Sequence, residues 1–446
     1  MRQRVAFALS ELMVVSTENS ALEIATFGIA GYYDMLNRNA FGNFRTLLEE
    51  VSLHPGDGLC IYRILRNEKE DTVTGRTPDE NYAREIMQLF AIGLWQLNSD
   101  GTRKLDGAGK PIPTYNQKDI LGMAKVFTGW SWGGVVNNEA GWRGWSLPTG
   151  HTQWKTLMQD YPQYHSTSAK EIINGVVIPA NTSARASLKI ALDTLFNHPN
   201  AGPFIGKQLI KKLVTSNPSP AYVSRVTAAF NNNGAGVRGD MKSVIRAILL
   251  DIEARDLSKT ADSTWGKVRE PIVRYGNWLR GFDVKSQSGL YRIWNLEDPV
   301  YSLGQNPFRS PSVFNFFKPD YTPPGAIARA NLVAPEFQII HETTLTGTTN
   351  FFEDEVRAIR PNNAEDLVAN YAAELALADK PEALLDRLSL LLLAGDMKPT
   401  TRATILDAVN GIAMNAYDAR ERRVATAVFL TMASPEFYHP KIALEL

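Results

Sequence analysis

The chain has 446 residues, 44% apolar and 21% charged, with as many Lys plus Arg as Asp plus Glu and so a net charge of zero. That length is ample for one large domain or two packed lobes, and the composition is that of an ordinary globular protein. A zero net charge argues against general nucleic-acid binding, and the single cysteine, Cys60, excludes intramolecular disulfides and multi-cysteine metal sites.

No apolar run reaches the length of about eighteen residues that a membrane span needs. The opening MRQRVAFALSELMVVSTENSA imitates a signal peptide, with basic residues ahead of an apolar stretch. Ser10 and Glu11 interrupt it, however, and Val5, Leu9, Leu12 and Met13 recur at helical spacing, which predicts a helix over 1–16. The chain therefore begins as though an upstream segment preceded it. Phe41, Phe44, Leu47, Leu48 and Val51 give a second helix, at about 28–52, its apolar face. The turn HPGDG at 54–58 and a short helix through Ile61 and Leu65 follow, with Cys60 in an apolar neighbourhood that suits an inert thiol.

The segment Arg76–Asn98 is the central one. Thr77-Pro78-Asp79-Glu80 has the form of a capping box with Pro at the first helical position, and Gly93 is a natural stop, which predicts a helix over 78–92. Apolar side chains cover most of its circumference, but Asn81, Arg84, Glu85 and Gln88 form one polar stripe. Buried, such a stripe has to be hydrogen-bonded to protein, water or ligand. Exposed, it is a solvated strip held by a Glu80–Arg84 pair. Asp100-Gly101 and Asp106-Gly107 then predict a small hairpin over 102–115, the one sheet expected. Asn116, with Asp119 three residues on, caps the helix DILGMAKVF.

Residues 130–182 contain Trp130, Trp132, Trp142, Trp145 and Trp154 among many glycines, either as a platform for flat ligands or as plugs under a long loop. From 183 to 281 helical periodicity dominates, and four further helices are predicted near 336–346, 364–377, 381–394 and 400–433, the last broken around Asn415. Between them, 299–325 is rich in proline and aromatic residues, and so many aromatics predict an ordered, largely buried segment over 308–321. The fold class is mainly α, a multi-helical protein with one small hairpin and long irregular loops. The expected organisation is a main helical domain over 1–350 with a C-terminal helical lobe, 351–446, packed on it.

TPDENYAREIMQLFAIGLWQLN at 77–98, the helix ending FTGW, HSTSAK at 165–170, the long string 198–226, KVREP at 267–271, PSVFNFFKPDYTPPG at 311–325 and LVAPEFQI at 332–339 together resemble the bacterial family catalogued as domain of unknown function 1800. The resemblance spans nearly the whole chain and supplies no activity. It implies an exported protein, periplasmic or extracellular, with a second exported protein encoded nearby as a partner. Members usually have a longer N-terminal part, and HPGDGLCIYRILRN departs from the usual HPAM form.

His54, His151, His165, His198, His341 and His439 form no metal-binding spacing, and neither a phosphate loop nor a serine elbow occurs. No metal and no cofactor are expected. What remains is acid–base and electrostatic chemistry. Glu85, Asp119, Arg84 and Arg309 are the candidate catalytic residues, and Asn81, Gln88, Trp130, His165, Lys170, Asn315, Asp320 and Tyr321 the candidate binding residues. Two carboxylates can hydrolyse a glycosidic bond, and paired arginines can clamp an anion, so one expectation is a hydrolase-like enzyme acting on an extracellular, carbohydrate-type polymer. The other is a non-catalytic surface or periplasmic assembly protein in which the same residues pin loops to the core. In either case Glu85 is expected to meet a cation from 165–170 or 309–321, with Asp119 or Asn315 close by.

Overall fold

The computed structural model describes residues 1–18, 26–56, 65–147, 152–293, 295–357 and 366–439. Cys60, Ile61 and His151 lie outside them, as does part of the helix predicted at 364–377. The protein is mainly α, as the periodicity predicts. Its contacts divide it into two compact units. The first comprises residues 1–214, 218–255 and 308–315, and the second 215–217, 256–307 and 316–446. Residues 256–307 and 316–350, grouped with the N-terminal helices on sequence, thus cluster with the C-terminal ones.

The first unit opens with α1 (Arg2–Leu12), α2 (Thr26–Asn39) and α3 (Phe44–Leu53). The single helix predicted at 28–52 is two helices, because Asn43 turns the chain and caps α3 by accepting from the Arg45 amide. The next, α4, is α-helical over Asn81–Glu85 and continues as a π-helix over Ile86–Ala91. Gly93 ends it at φ +72, where an added Cβ would press on the ring of Phe204. Then come α5 (Gln117–Val126), the sheet β1–β2 (Trp130–Ser131 with Gln159–Asp160) and the sheet β3–β4 (Lys170–Ile172 with Val176–Ile178), both antiparallel. α6 (Ala184–Asn197), α7 (Ala201–Leu213), α8 (Pro220–Asn231) and α9 (Met241–Leu249) complete the unit, with α1 packed on α2 and α7, and α7 on α8.

The predicted hairpin at 102–115 is not a two-strand ladder. Three short segments around Gln96, Lys104 and Ile112 form a ring. The Gln96 amide donates to Ile112, Ile112 to Lys104 and Lys104 to Gln96, at 2.8, 3.1 and 2.7 Å. Isolated antiparallel bridges Trp95–Pro113, Leu97–Arg103 and Leu105–Pro111 flank these bonds. Nor is this region the one sheet, since three two-stranded sheets lie elsewhere among the described residues.

α5 lies so close to β3 that a Cβ at Gly122 would overlap the backbone carbonyl oxygen of Glu171. Backbone cannot swing aside as a flexible side chain can. Gly122→Ala should therefore cost about 1–3 kcal/mol of stability, the usual range for overpacking, measured by denaturant unfolding. Wild-type stability in this variant would show that helix and strand can separate freely.

Four of the five tryptophans are core plugs: Trp130, Trp132, Trp142 and Trp154 are 1%, 6%, 1% and 8% exposed. Trp145 faces solvent beneath the Arg143 guanidinium. The irregular 308–315 stretch is tied to the end of α1. The Thr17 amide donates to the Phe308 carbonyl at 2.7 Å, and the Ser16 hydroxyl to Ser310 at 2.7 Å. Phe308 and Phe314 are half-buried there.

The second unit contains α10 (Pro271–Gly281), the pair β5–β6 (Lys285–Ser286 with Leu367–Val368), α11 (Glu342–Arg357), α12 (Pro381–Leu393), α13 (Pro399–Asn410) and α14 (Ala419–Met432). The break expected around Asn415 falls between α13 and α14, while the helix predicted at 336–346 begins only at Glu342 and runs on to Arg357. Tyr275, Trp278, Leu384, Leu388, Val424 and Val428 share its core. Phe317 is buried and Phe316 half-buried, so none of the predicted aromatic segment's phenylalanines is fully exposed, though only Phe317 is buried outright.

Candidate functional site

The polar stripe sits where α4 changes from α to π. Thr77 does not cap the helix. The N-cap position falls on Glu80, which makes no side-chain cap bond, and Thr77 is exposed. Asp79 takes over instead: its amide donates to Asn67 Oδ1 at 2.9 Å, and its own Oδ1 accepts from the Asn81 amide at 2.8 Å. The capping box expected at Thr77 is therefore not formed. Beyond Glu85 the hydrogen bonds lengthen by one residue, and the Ile92 and Gly93 amides both reach back to Met87. Such π segments are uncommon and concentrate at functional positions.

Arg84 belongs to a closed surface triangle. Its Nη2 donates to Glu80 Oε2 at 2.6 Å and to Gln117 Oε1 at 3.0 Å, and Gln117 Nε2 donates to Glu80 at 3.1 Å. This is the solvated-strip arrangement for Arg84. Glu85, one residue on, is different. It is half-buried, and its Oε2 is sealed from solvent without a hydrogen-bond partner. Burial pushes its carboxyl up to about 7, the nearby Arg84 opposing only in part. Tyr115, at the end of the three-segment ring, is pushed up to about 12 by burial and then by the Glu85 charge. Carboxyl and phenol therefore share one environment. Asn81 is exposed and Gln88 half-buried on the same helix.

The cations expected at Glu85 are engaged elsewhere. Arg309 pairs with Glu18 at 3.0 Å. Lys170, fully buried, donates to the carbonyls of Ser166 and Ser168 at 2.9 and 3.2 Å. Asp119 closes a capping box with Asn116, its Oδ2 accepting from the Asn116 amide at 2.8 Å. Asn315 donates to Glu11 at 3.4 Å. The fold does not assemble the predicted cluster around Glu85: each partner is engaged in its own segment, on α1 or in the residues that follow α1.

His165 and Lys170 belong to a second polar cluster. Glu70 accepts from the hydroxyls of Ser166 and Ser168 and lies 3.9 Å from Lys125. Burial acts to raise Glu70, but those two hydroxyls and the Lys125 charge hold it below its ordinary range. Burial lowers Lys170, with Glu70 opposing. Burial also lowers His165, whose Nδ1 lies 2.8 Å from the Thr128 carbonyl. Glu70 thus sits at the centre of a set in which the sequence points only to His165 and Lys170. Trp130 is buried, with its indole nitrogen 3.4 Å from the Val126 carbonyl. In the second unit Asp320 is exposed and Tyr321 half-buried, its carbonyl accepting from Ala334.

No group of three or more His, Cys, Asp or Glu side chains suited to a metal ion occurs among the described residues. No described helix is long and apolar enough to cross a membrane. Across the whole chain, a family model described as Protein of unknown function (DUF1800) matches residues 1–439. No curated protein and no solved structure matches it.

Proposed function

The chain belongs to the DUF1800 family, a membership that brings no reaction with it, and we propose from its geometry that the protein is an acid–base enzyme working through Glu85. One observation carries this reading. Within the polar stripe, Glu85 is the residue that the fold buries with only the neighbouring Arg84 charge to oppose the cost, and its Oε2 has no hydrogen bond. A carboxyl that exchanges its proton near neutral pH is suited to general acid–base work, and Tyr115 beside it is a second proton-bearing group.

The reaction is hydrolase-like or lyase-like, with an extracellular polymer as the substrate class. The paired-carboxylate form of glycoside hydrolysis needs a second carboxyl roughly 5–10 Å away. Glu80, on the same helix, is committed to Arg84, and Asp119, the second candidate carboxyl, to Asn116. A single carboxyl that donates or removes a proton fits better. An exported location rests on family resemblance alone.

The test is product release from a panel of cell-envelope and extracellular polysaccharides, run from pH 5 to 9. Wild-type turnover should show an inflection near pH 7, and Glu85→Gln should lower kcat by about 100-fold or more, the usual contribution of a positioned proton-transfer group. Undiminished turnover in the variant removes Glu85 from the chemistry. Asp119, Arg309, His165 and Lys170, all held by structural partners, favour the second reading, a non-catalytic assembly protein working with another exported protein. Absence of turnover on every polymer, together with capture of that partner, would establish it.

A further inference from the structure

A cavity of about 290 Å³ opens between the three-segment ring and the α6–α8 region of the first unit. Its wall includes Lys104 from the ring, Arg238 from the loop before α9, Asn231 and Thr227 from α8, and the exposed Asn98 and Ser99. The electrostatics are one-sided, since no acidic side chain lines it among the described residues.

Arg238 is held rigidly. Nε donates to the Phe196 carbonyl at 3.0 Å, Nη2 to the His198 carbonyl at 3.1 Å, and Nη1 to Asn231 Oδ1. The guanidinium also lies 5.6 and 5.1 Å from the centres of the Phe196 and Phe230 rings. Three of its five N–H groups are used, none on an anion, which leaves one on each terminal nitrogen. Burial lowers its pKa, so the fold bears a desolvated positive charge for which no salt bridge occurs among the described residues. Lys104 likewise has no ion-pair partner among the described residues, and its ammonium donates no hydrogen bond to them. Thr227 is 2% exposed, and its Oγ1 is sealed from solvent without a hydrogen-bond partner. Buried His198 next to the pocket is held down at about 4, first by burial and then by the charges of Lys104 and Arg238.

We propose that this pocket binds a phosphate group, as the free anion or carried by a small metabolite. A guanidinium fixed by three protein acceptors, the Lys104 ammonium and the unpaired Thr227 hydroxyl belong to residues lining one pocket, and two positive charges match a phosphate dianion better than a carboxylate. The volume exceeds that of a bare phosphate, which leaves room for a sugar-sized substituent. The site is independent of Glu85 and its chemistry.

Isothermal titration calorimetry on the full chain, at constant ionic strength, tests this with inorganic phosphate, ribose 5-phosphate and acetate. Phosphate should bind at least about tenfold more tightly than acetate, the difference one charge-assisted hydrogen bond makes. Lys104→Gln should weaken phosphate about tenfold, and Thr227→Val about threefold, without lowering Tm. Thr227→Val keeps the side-chain shape and removes an unpaired buried hydroxyl, so its effect on binding is not a folding defect. Ribose 5-phosphate tighter than phosphate identifies a phosphorylated metabolite, and equal affinities identify the free anion. No heat with either phosphate, equal affinity for acetate, or wild-type binding in both variants overturns the proposal.

Discussion

Replacing Glu85 by glutamine should stabilise the folded protein at pH 8 by about 2 kcal/mol and leave its stability at pH 4 nearly unchanged. The folded-state pKa of about 7 lies above the ordinary value of 4.5, so between those values the folded chain holds a proton that the unfolded chain has released. Stability contributed by the protonated form is complete below pH 4.5 and is lost as pH rises through 7. A difference of that size corresponds to about 3 kcal/mol at full burial, and partial access to water trims it to about 2 kcal/mol. Glutamine cannot ionise and escapes the loss. Urea unfolding of both proteins at pH 4, 6 and 8 measures the effect directly. A variant less stable than wild type at pH 8 would mean that the carboxylate has a favourable partner after all. A residue that weakens its own fold at neutral pH is understandable where function requires it.

Lys212→Met should destabilise the protein by about 3–5 kcal/mol, the largest single loss expected in the first unit. Lys212 on α7 meets Glu11 on α1 at 3.1 Å, and the two side chains are only 7% and 4% exposed. Removing the ammonium takes from the buried Glu11 carboxylate its ion-pair partner on α7, leaving the Asn315 amide among its donors. The double change Glu11→Leu with Lys212→Met should recover most of the loss, because an apolar pair of similar volume has no charge to desolvate. Chemical denaturation of the two variants decides the matter. A loss below about 1 kcal/mol for Lys212→Met would place the pair among exposed ones.

Local signals in the sequence were legible wherever the chemistry stays within a few residues. Asn116 and Asp119 read as a capping box and form one, which ties an oxygen of the candidate catalytic Asp119 to the helix start. Thr77 and Glu80 show the same spacing, yet Asp79 and Asn67, twelve residues apart, settle that helix start instead. The π turn after Glu85 has no sequence signature, because a one-residue slip in hydrogen bonding is decided by packing around the helix. Glu11 interrupts an apolar stretch in the sequence, but nothing local reveals Lys212, 201 residues away, as its partner. Arg309 and Glu18 are separated by 291 residues. Charge partners of that kind follow from tertiary closure alone, and so the polar stripe was recognisable while its surroundings were not.

The ring around Gln96, Lys104 and Ile112 bears on how this chain behaves in crowded company. An ordinary hairpin leaves two outer edges whose amides and carbonyls can recruit a strand from another molecule. Here each of the three segments donates to one neighbour and accepts from the other at its middle residue, so the hydrogen bonds that would form an edge close on themselves. The described two-stranded ladders span only two or three residues per strand. Edges that short make poor templates for intermolecular sheet growth, and the extended backbone of this region is thereby kept from seeding aggregates.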